Sequence, residues 1–192
     1  MNIFYLDRDP KIAAKFHCNK HVVKMIVEGC QLLSTAHRML DGISTPGTKQ
    51  LLLPGESLSE NRKTILNQKV YKASHKNHRS AVWVRSCSGA YWWQYNLAYE
   101  LCKEYTYRYR KIHKSQTLLD GHLAWAPANI PNDVPFTPPP LAMPEKYFDS
   151  DHVSAYRKFY IGEKHEFARW KKREIPFWYS DSIELEQETV TL

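Results

Sequence analysis

Residues 16–38 read FHCNKHVVKMIVEGCQLLSTAHR. Wound as an α-helix at about 100° per residue, this segment gathers His17, Lys20, His21, Lys24, Glu28, Gln31, Thr35 and Arg38 into one arc of roughly 100°. The remaining circumference is apolar or small, from Cys18, Val22 and Val23 through Ile26 and Gly29 to Leu33 and Ala36. A surface helix normally shows the reverse, a narrow apolar stripe on a polar cylinder. The pattern therefore predicts a helix buried on most sides, with one slot of ionisable groups along it. Buried charge is costly unless it is paired or used, which makes the arc a candidate active-site wall. A second reading stays open, in which the arc is the solvated face of a helix with a wide apolar contact. Lys24 and Glu28 then form an ordinary i,i+4 pair.

Outward from this segment, Asn2-Ile3-Phe4-Tyr5-Leu6 form a short apolar stretch, strand-like or extended, and Asp7, Asp9 and Pro10 supply a turn and a helix start. The first helix is predicted to run on to about Leu40 and to close at Asp41-Gly42. A loop with Pro46, Gly47, Pro54 and Gly55 follows, its Leu51–Leu53 tucking back onto the core. Next come a shorter helix around Glu60–Lys72 and a basic connector, Ser74-His75-Lys76-Asn77-His78-Arg79-Ser80. A second long helix is predicted from about Ser80 to Tyr109, carrying Trp83, Trp92, Trp93, Tyr95, Tyr99, Tyr105, Tyr107 and Tyr109, most of them core. Seven of the eleven prolines lie in residues 127–144. That stretch excludes a regular helix or a central strand. It reads as an extended surface loop anchored by Phe136, Leu141 and Met143. A last helix is predicted over about Ser150–Arg173, capped by Ser150 or Asp149.

The sum is an all-α fold, a compact single-domain bundle of three to five helices with a long Pro-rich surface loop, over residues 1–179. Residues 180–192, with four acids and no base, read as a flexible acidic tail. At 192 residues, 43% hydrophobic and 13% aromatic, the chain has material for one well-filled core and is not disordered in composition. No apolar run approaches a membrane span and no signal-peptide core is visible, so a cytoplasmic protein without membrane contact is expected. The four cysteines, Cys18, Cys30, Cys87 and Cys102, are widely spaced and read as reduced core thiols. A zinc site from His17, Cys18, His21 and Cys30 is conceivable. However, helical spacing puts only the two histidines on one face, so neither metal nor cofactor is expected. The net charge of +7 stands near +11 without the tail, which suits a polyanion such as duplex DNA.

The residues alone support acid/base chemistry. Glu28, Lys24 and His21 place a carboxylate, an amine and an imidazole on one wall. Breaking a glycosidic bond to a nucleobase needs a carboxylate near the sugar and a donor near the departing base. His75, His78 and Arg79 at a helix start suit phosphate contact; an ordinary polar connector is the other reading. Arg85 adds to the basic helix ends. Tyr5, Trp83 or Trp178 are candidates to stack on an extruded base, with core packing as the alternative for each.

Three places carry a resemblance to a known family. Lys20-His21-Val22-Val23 begins a run that reaches Glu28 seven residues after His21. The stretch from His78 through Trp83 to Tyr107 is aromatic and basic. The ending Lys171-Lys172-Arg173-Glu174-Ile175-Pro176-Phe177-Trp178-Tyr179 is basic and then Pro-Trp-Tyr. In this order they resemble the phage pyrimidine-dimer DNA glycosylases, the endonuclease V type of ultraviolet-repair enzyme. The resemblance implies an all-α fold, cleavage of the N-glycosidic bond of a damaged or modified pyrimidine, and β-elimination at the abasic site. It implies that Glu28 is the catalytic glutamate and His21 a neighbouring positioning or DNA-contacting residue. From the arc, the basic connector, the helix ends and the candidate stacking aromatics, His17, Gln31, Thr35, Arg38, His75, His78, Arg79, Arg85 and Trp178 are the expected substrate contacts. The chain departs from the family at its head. There the nucleophile is the α-amine exposed when the initiator methionine is removed before a small residue. Asn2 disfavours that removal, so the free amine is Met1's own, one residue displaced, with Lys20 or Lys24 as substitutes. Val27 stands where the family places a basic residue ahead of its glutamate.

Two other functions fit the same residues. One is an enzyme that processes nucleotides, or transfers groups to a modified base. The other is a non-catalytic nucleic-acid-binding protein, whose polar arc would meet phosphates and for which a central carboxylate has no use.

Overall fold

The computed structural model describes residues 1–42 and 59–182. It is all-α: no strand occurs among the described residues. In chain order the helices are α1 (Pro10–Phe16), α2 (Asn19–Leu40), α3 (Glu60–Lys69), α4 (Arg79–Val84), α5 (Ser88–Tyr109), α6 (Gln116–Leu118) and α7 (His152–Lys164). A π-helical turn at Leu119–Leu123 continues α6, and a 3₁₀ turn at Glu145–Tyr147 precedes α7. The loop expected between Pro46 and Gly55 lies outside the described residues, as does the tail beyond residue 182.

The two long helices α2 and α5 pack along each other and form the spine. They approach closely at Gly29, where a Cβ would stand 2.8 Å from Gln94 Nε2 and 3.2 Å from Ala98 Cβ. Val22, Ile26, Leu32 and Leu33 of α2 and Leu97, Ala98 and Leu101 of α5 are fully buried between them and their neighbours.

Both predicted long helices are broken, and neither break contains glycine or proline. The first parts at His17-Cys18, both extended. Here the fully buried Arg108 of α5 donates to Lys15 O (2.9 Å), His17 O (2.8 Å) and Asn19 Oδ1 (3.2 Å) and pairs with Glu104 (3.1 Å). Cys18 N donates to Tyr160 Oη at 2.8 Å, and Asn19 N to Arg169 O at 2.8 Å. The groups a continuous helix would satisfy locally are satisfied from α5, α7 and the C-terminal segment, so the chain can leave the helix there. The second break, at Arg85–Cys87, works the same way. Ser88 N donates to Pro131 O at 2.8 Å, and Cys87 Sγ accepts from Ala90 N as an N-cap. The last helix is shorter than the sequence suggests; its N-cap is Asp151, which accepts from Ser154 N at 3.2 Å.

The Pro-rich segment is a strap held mainly by its carbonyl groups. Thr137 O accepts from Trp83 Nε1 (2.9 Å) and Pro139 O from His152 Nδ1 (2.7 Å). Pro140 O accepts from Tyr156 Oη (2.8 Å), Leu141 O from Arg79 Nη1 (2.7 Å) and Ala142 O from Asn2 Nδ2 (2.9 Å). Leu141 and Met143 pack against the core, while Phe136 lies 43% exposed, edge-on to Trp83. All four cysteines are buried free thiols. No helix of the described residues is long and apolar enough to cross a membrane.

Candidate active site

Residues 3–6 are not a strand. They are threaded into the core: Ile3, Phe4, Tyr5 and Leu6 are all buried. Phe4 takes a left-handed backbone (φ 53°) and Leu6 N donates back to Phe4 O at 2.8 Å, closing a tight turn. Burying this segment fixes where residue 2 must emerge, which is beside α2 at Glu28. Asn2 N donates to Glu28 Oε2 at 3.2 Å, and Lys24 Nζ stands 3.3 Å from Glu28 Oε1. The Glu28 side chain is 15% exposed, against 66% for Lys24. A carboxylate with both oxygens engaged thus sits on the wall that the chain's head abuts.

His78 completes this cluster. It is the N-cap of α4, and its Nδ1 accepts from Ser80 N at 3.2 Å, which leaves Nε2 as the donor of the neutral ring. Burial, then the positive charge of the chain's amino terminus, holds its pKa below the usual histidine range, and the Glu28 carboxylate opposes that shift. Arg79 is exposed and tied to Leu141 O, so the strap residues Leu141 and Ala142 form a rim joined to both Asn2 and Arg79. His75 is exposed in a left-handed turn, its Nδ1 2.6 Å from Ser74 Oγ. Gln31 is half-buried one turn beyond Glu28.

The polar arc of α2 is therefore not one slot, and the expectation that it is a continuous wall is corrected. Its first end is inside the protein. His17 is fully buried, its Nδ1 2.7 Å from Ala13 O, and burial pushes its pKa down to about 4. His21 stacks on Phe4 at 4.3 Å and bonds Tyr160 Oη at 2.7 Å, and burial pushes its pKa down to about 3. A neutral imidazole sealed by Phe4, Tyr160 and Phe167 has no route to a substrate, so His17 and His21 are core residues in this structure. The other end is structural as well. Thr35 Oγ1 donates to Gln31 O and accepts from Ser74 N, while Arg38 donates to Asn67 and to the carbonyls of Val70 and Tyr71. Both bind the segment after α3 onto α2. Lys20 is exposed, with its Nζ 4.6 Å from the centre of the Phe167 ring. Of the arc, only Lys20, Lys24, Glu28 and Gln31 keep exposed or half-exposed side chains that a substrate could reach.

The remaining contacts expected from the sequence fall elsewhere. Arg85 donates to Lys76 O and Ala81 O and shapes the connector. Trp178 is buried against Phe16, Tyr160 and Arg157; Trp83 and Tyr5 are also core. None of the three aromatics is free to stack on a base. The conceivable zinc ligands are dispersed, with Cys30 Sγ directed to Ser115 O. Among the described residues no group of three or more His, Cys, Asp or Glu could hold a metal ion.

A second region lies at the N-terminal end of α2. A cleft of about 530 Å³ is lined by Asn19, Arg169, Trp170 and Lys171, and one of about 550 Å³ by Lys15, Lys172, Arg173 and Phe177. Ile175 borders both, and neither is lined by Glu28. Their cations over apolar floors suit a phosphodiester backbone.

Sequence reasoning singled out Glu28, Lys24, Met1 and His78, and the structure gathers them near one another. That reasoning missed Asn2 and the strap rim. The available signal was the apolar run after Asn2: if residues 3–6 are buried, residue 2 must be held at the core's edge. In comparisons with known proteins, no family model, no curated protein and no solved structure matches this chain.

Proposed function

We propose that this protein is a DNA glycosylase with lyase activity, acting on a damaged or modified pyrimidine, with the α-amine of Met1 and the carboxylate of Glu28 as its catalytic pair. The supporting observation is the 3.2 Å hydrogen bond from Asn2 N to Glu28 Oε2. It brings the head of the chain to a shielded carboxylate, where an amine nucleophile and its proton acceptor must meet. The basic body and the two cationic clefts supply a surface for the DNA backbone.

In this reading the amine nitrogen attacks C1′ of the target nucleotide. The C1′–N bond to the base breaks, its electron pair leaves with the base, and the base takes up a proton. Glu28 stabilises the positive charge developing on the sugar and accepts the proton that the amine gives up. Ring opening at O4′ yields an imine between Met1 and C1′. Loss of a proton from C2′ then expels the 3′ phosphate by β-elimination. Lys24, paired with Glu28 and largely exposed, meets a flanking phosphate. His78, with Nε2 as donor, is placed to protonate a departing group.

The test is borohydride trapping on duplex DNA carrying ultraviolet lesions or abasic sites. A covalent adduct mapping to Met1 is expected. An adduct at Lys20 or Lys24 would move the nucleophile, and base release without an adduct would mean that water attacks. No base release and no adduct on any lesion would overturn the proposal in favour of group transfer or simple binding, as would a Glu28→Gln variant that stays active.

A further inference from the structure

The residue that joins the head of the chain to Glu28 engages its backbone N–H and both polar atoms of its side chain. Asn2 Oδ1 accepts from Ile3 N at 2.7 Å and from Phe4 N at 3.3 Å. Its Nδ2 donates to Ala142 O of the strap at 2.9 Å, and its backbone N–H donates to Glu28 Oε2. The pair of bonds from Oδ1 folds the backbone back on itself immediately before Phe4, whose φ of 53° is a conformation that a bulky residue adopts only under constraint. The bond from Nδ2 fixes the same residue to a strap that Trp83, His152, Tyr156 and Arg79 already hold. Met1 is half-buried and packs against the core, so it is placed and not free to swing. Its amine lies one residue from the Asn2 nitrogen, a span of about 3.5 Å.

We infer that Asn2 is a positioning residue: its side-chain amide, hooked to the backbone on one side and to the strap on the other, holds the amino terminus in attacking register with Glu28. This rests on the glycosylase reading, in which that amine is the nucleophile. Aspartate keeps the hook to Ile3 and Phe4 but lacks the donor for Ala142 O. Leucine matches the size and lacks both, and neither is small enough to invite methionine removal.

The test compares wild type, Asn2→Asp and Asn2→Leu. For Asn2→Leu a fall of about 100-fold in the trapping rate is expected, the scale of a reacting group misplaced by about 1 Å. DNA affinity should change less than about 2-fold, because the phosphate contacts are elsewhere. Asn2→Asp should recover to within about 10-fold of wild type, since one of its two anchors survives. Intact mass checks that Met1 is present in each protein, and thermal unfolding checks that each is folded. Asn2→Leu within about 3-fold of wild type in trapping rate would overturn the inference. So would loss of affinity in proportion to rate.

A readout independent of catalysis separates the two proposals. Acylation of the Met1 amine by an N-hydroxysuccinimide ester, mapped by mass, should be slower in wild type than in Asn2→Leu. A wild type that neither releases base nor traps, yet shows this difference, removes the glycosylase reading and leaves the placement of the amine standing. Equal acylation rates overturn the placement itself.

Discussion

Replacing Arg108 by methionine tests the account of why α1 and α2 part. The guanidinium is fully buried and donates to Glu104, Lys15 O, His17 O and Asn19 Oδ1. Methionine fills much of the stem's volume and offers no donor. Two buried main-chain carbonyls at the end of α1 are then stranded, at about 1–3 kcal/mol each. Glu104 keeps its second partner, Arg173, at 2.6 Å, so its charge is not left alone. The desolvation cost of the lost guanidinium is recovered in part, which brings the net loss to about 3 kcal/mol, the lower edge for breaking a buried ion pair. For a chain of this size that corresponds to a Tm lower by about 6–12 °C. Urea and thermal unfolding followed by circular dichroism measure both. Arg173→Met is the control: with a side chain 30% exposed and Arg108 still on Glu104, it should cost under about 1 kcal/mol. A loss below about 1 kcal/mol for Arg108→Met would refute the reasoning, because the two carbonyls would then have other partners.

Glu28→Gln keeps an acceptor for Asn2 N and removes the carboxylate, so base release should fall at least about 100-fold with DNA affinity kept, as steady-state kinetics and fluorescence anisotropy will show. His17 and His21 have folded pKa values of about 4 and about 3, below the unfolded value of 6.5. Their contribution to stability is therefore full above pH 6.5 and is lost as pH falls toward those folded values. Each adds a slope of about 1.4 kcal/mol per pH unit in that window, and His17→Gln should flatten the urea-derived profile by one such step. A Lys171→Ala, Lys172→Ala double variant should lower the slope of log affinity against log salt by about 1.8 for duplex DNA if both lysines meet phosphates. An unchanged slope removes the two clefts from the DNA path.

Periodicity made α2 legible, together with the polarity of its middle third. It could not say what covers each end of the arc, because the covering groups are remote in sequence: Tyr160 over His21, Asn67 and Tyr71 around Arg38. A period names a face and is silent on its neighbour. The breaks at His17-Cys18 and Arg85–Cys87 were illegible for a related reason. Local helix-stop residues are missing there, and the satisfying partners, Arg108 and Pro131 O, come from other elements. Proline density marked the strap correctly as irregular chain, but not that its carbonyls, more than its apolar side chains, tie it down. The candidate site was half-readable. Glu28 and Lys24 follow from helical spacing. The arrival of Asn2 at that carboxylate depends on the burial of residues 3–6, which their apolar run signals without naming the partner.

Because proline has no amide proton, Pro138-Pro139-Pro140 at the centre of the strap are silent to amide hydrogen exchange, and a transient peeling confined to them would pass unrecorded by that method. Yet the strap's carbonyls fasten Asn2, Arg79, Trp83, His152 and Tyr156, so an excursion spreading from there would loosen the amino terminus, α4 and α7 together. The reporter to watch is the indole of Trp83, whose Nε1–H is bound to Thr137 O. Its exchange rate and fluorescence follow the fastening of the strap where the backbone itself is silent.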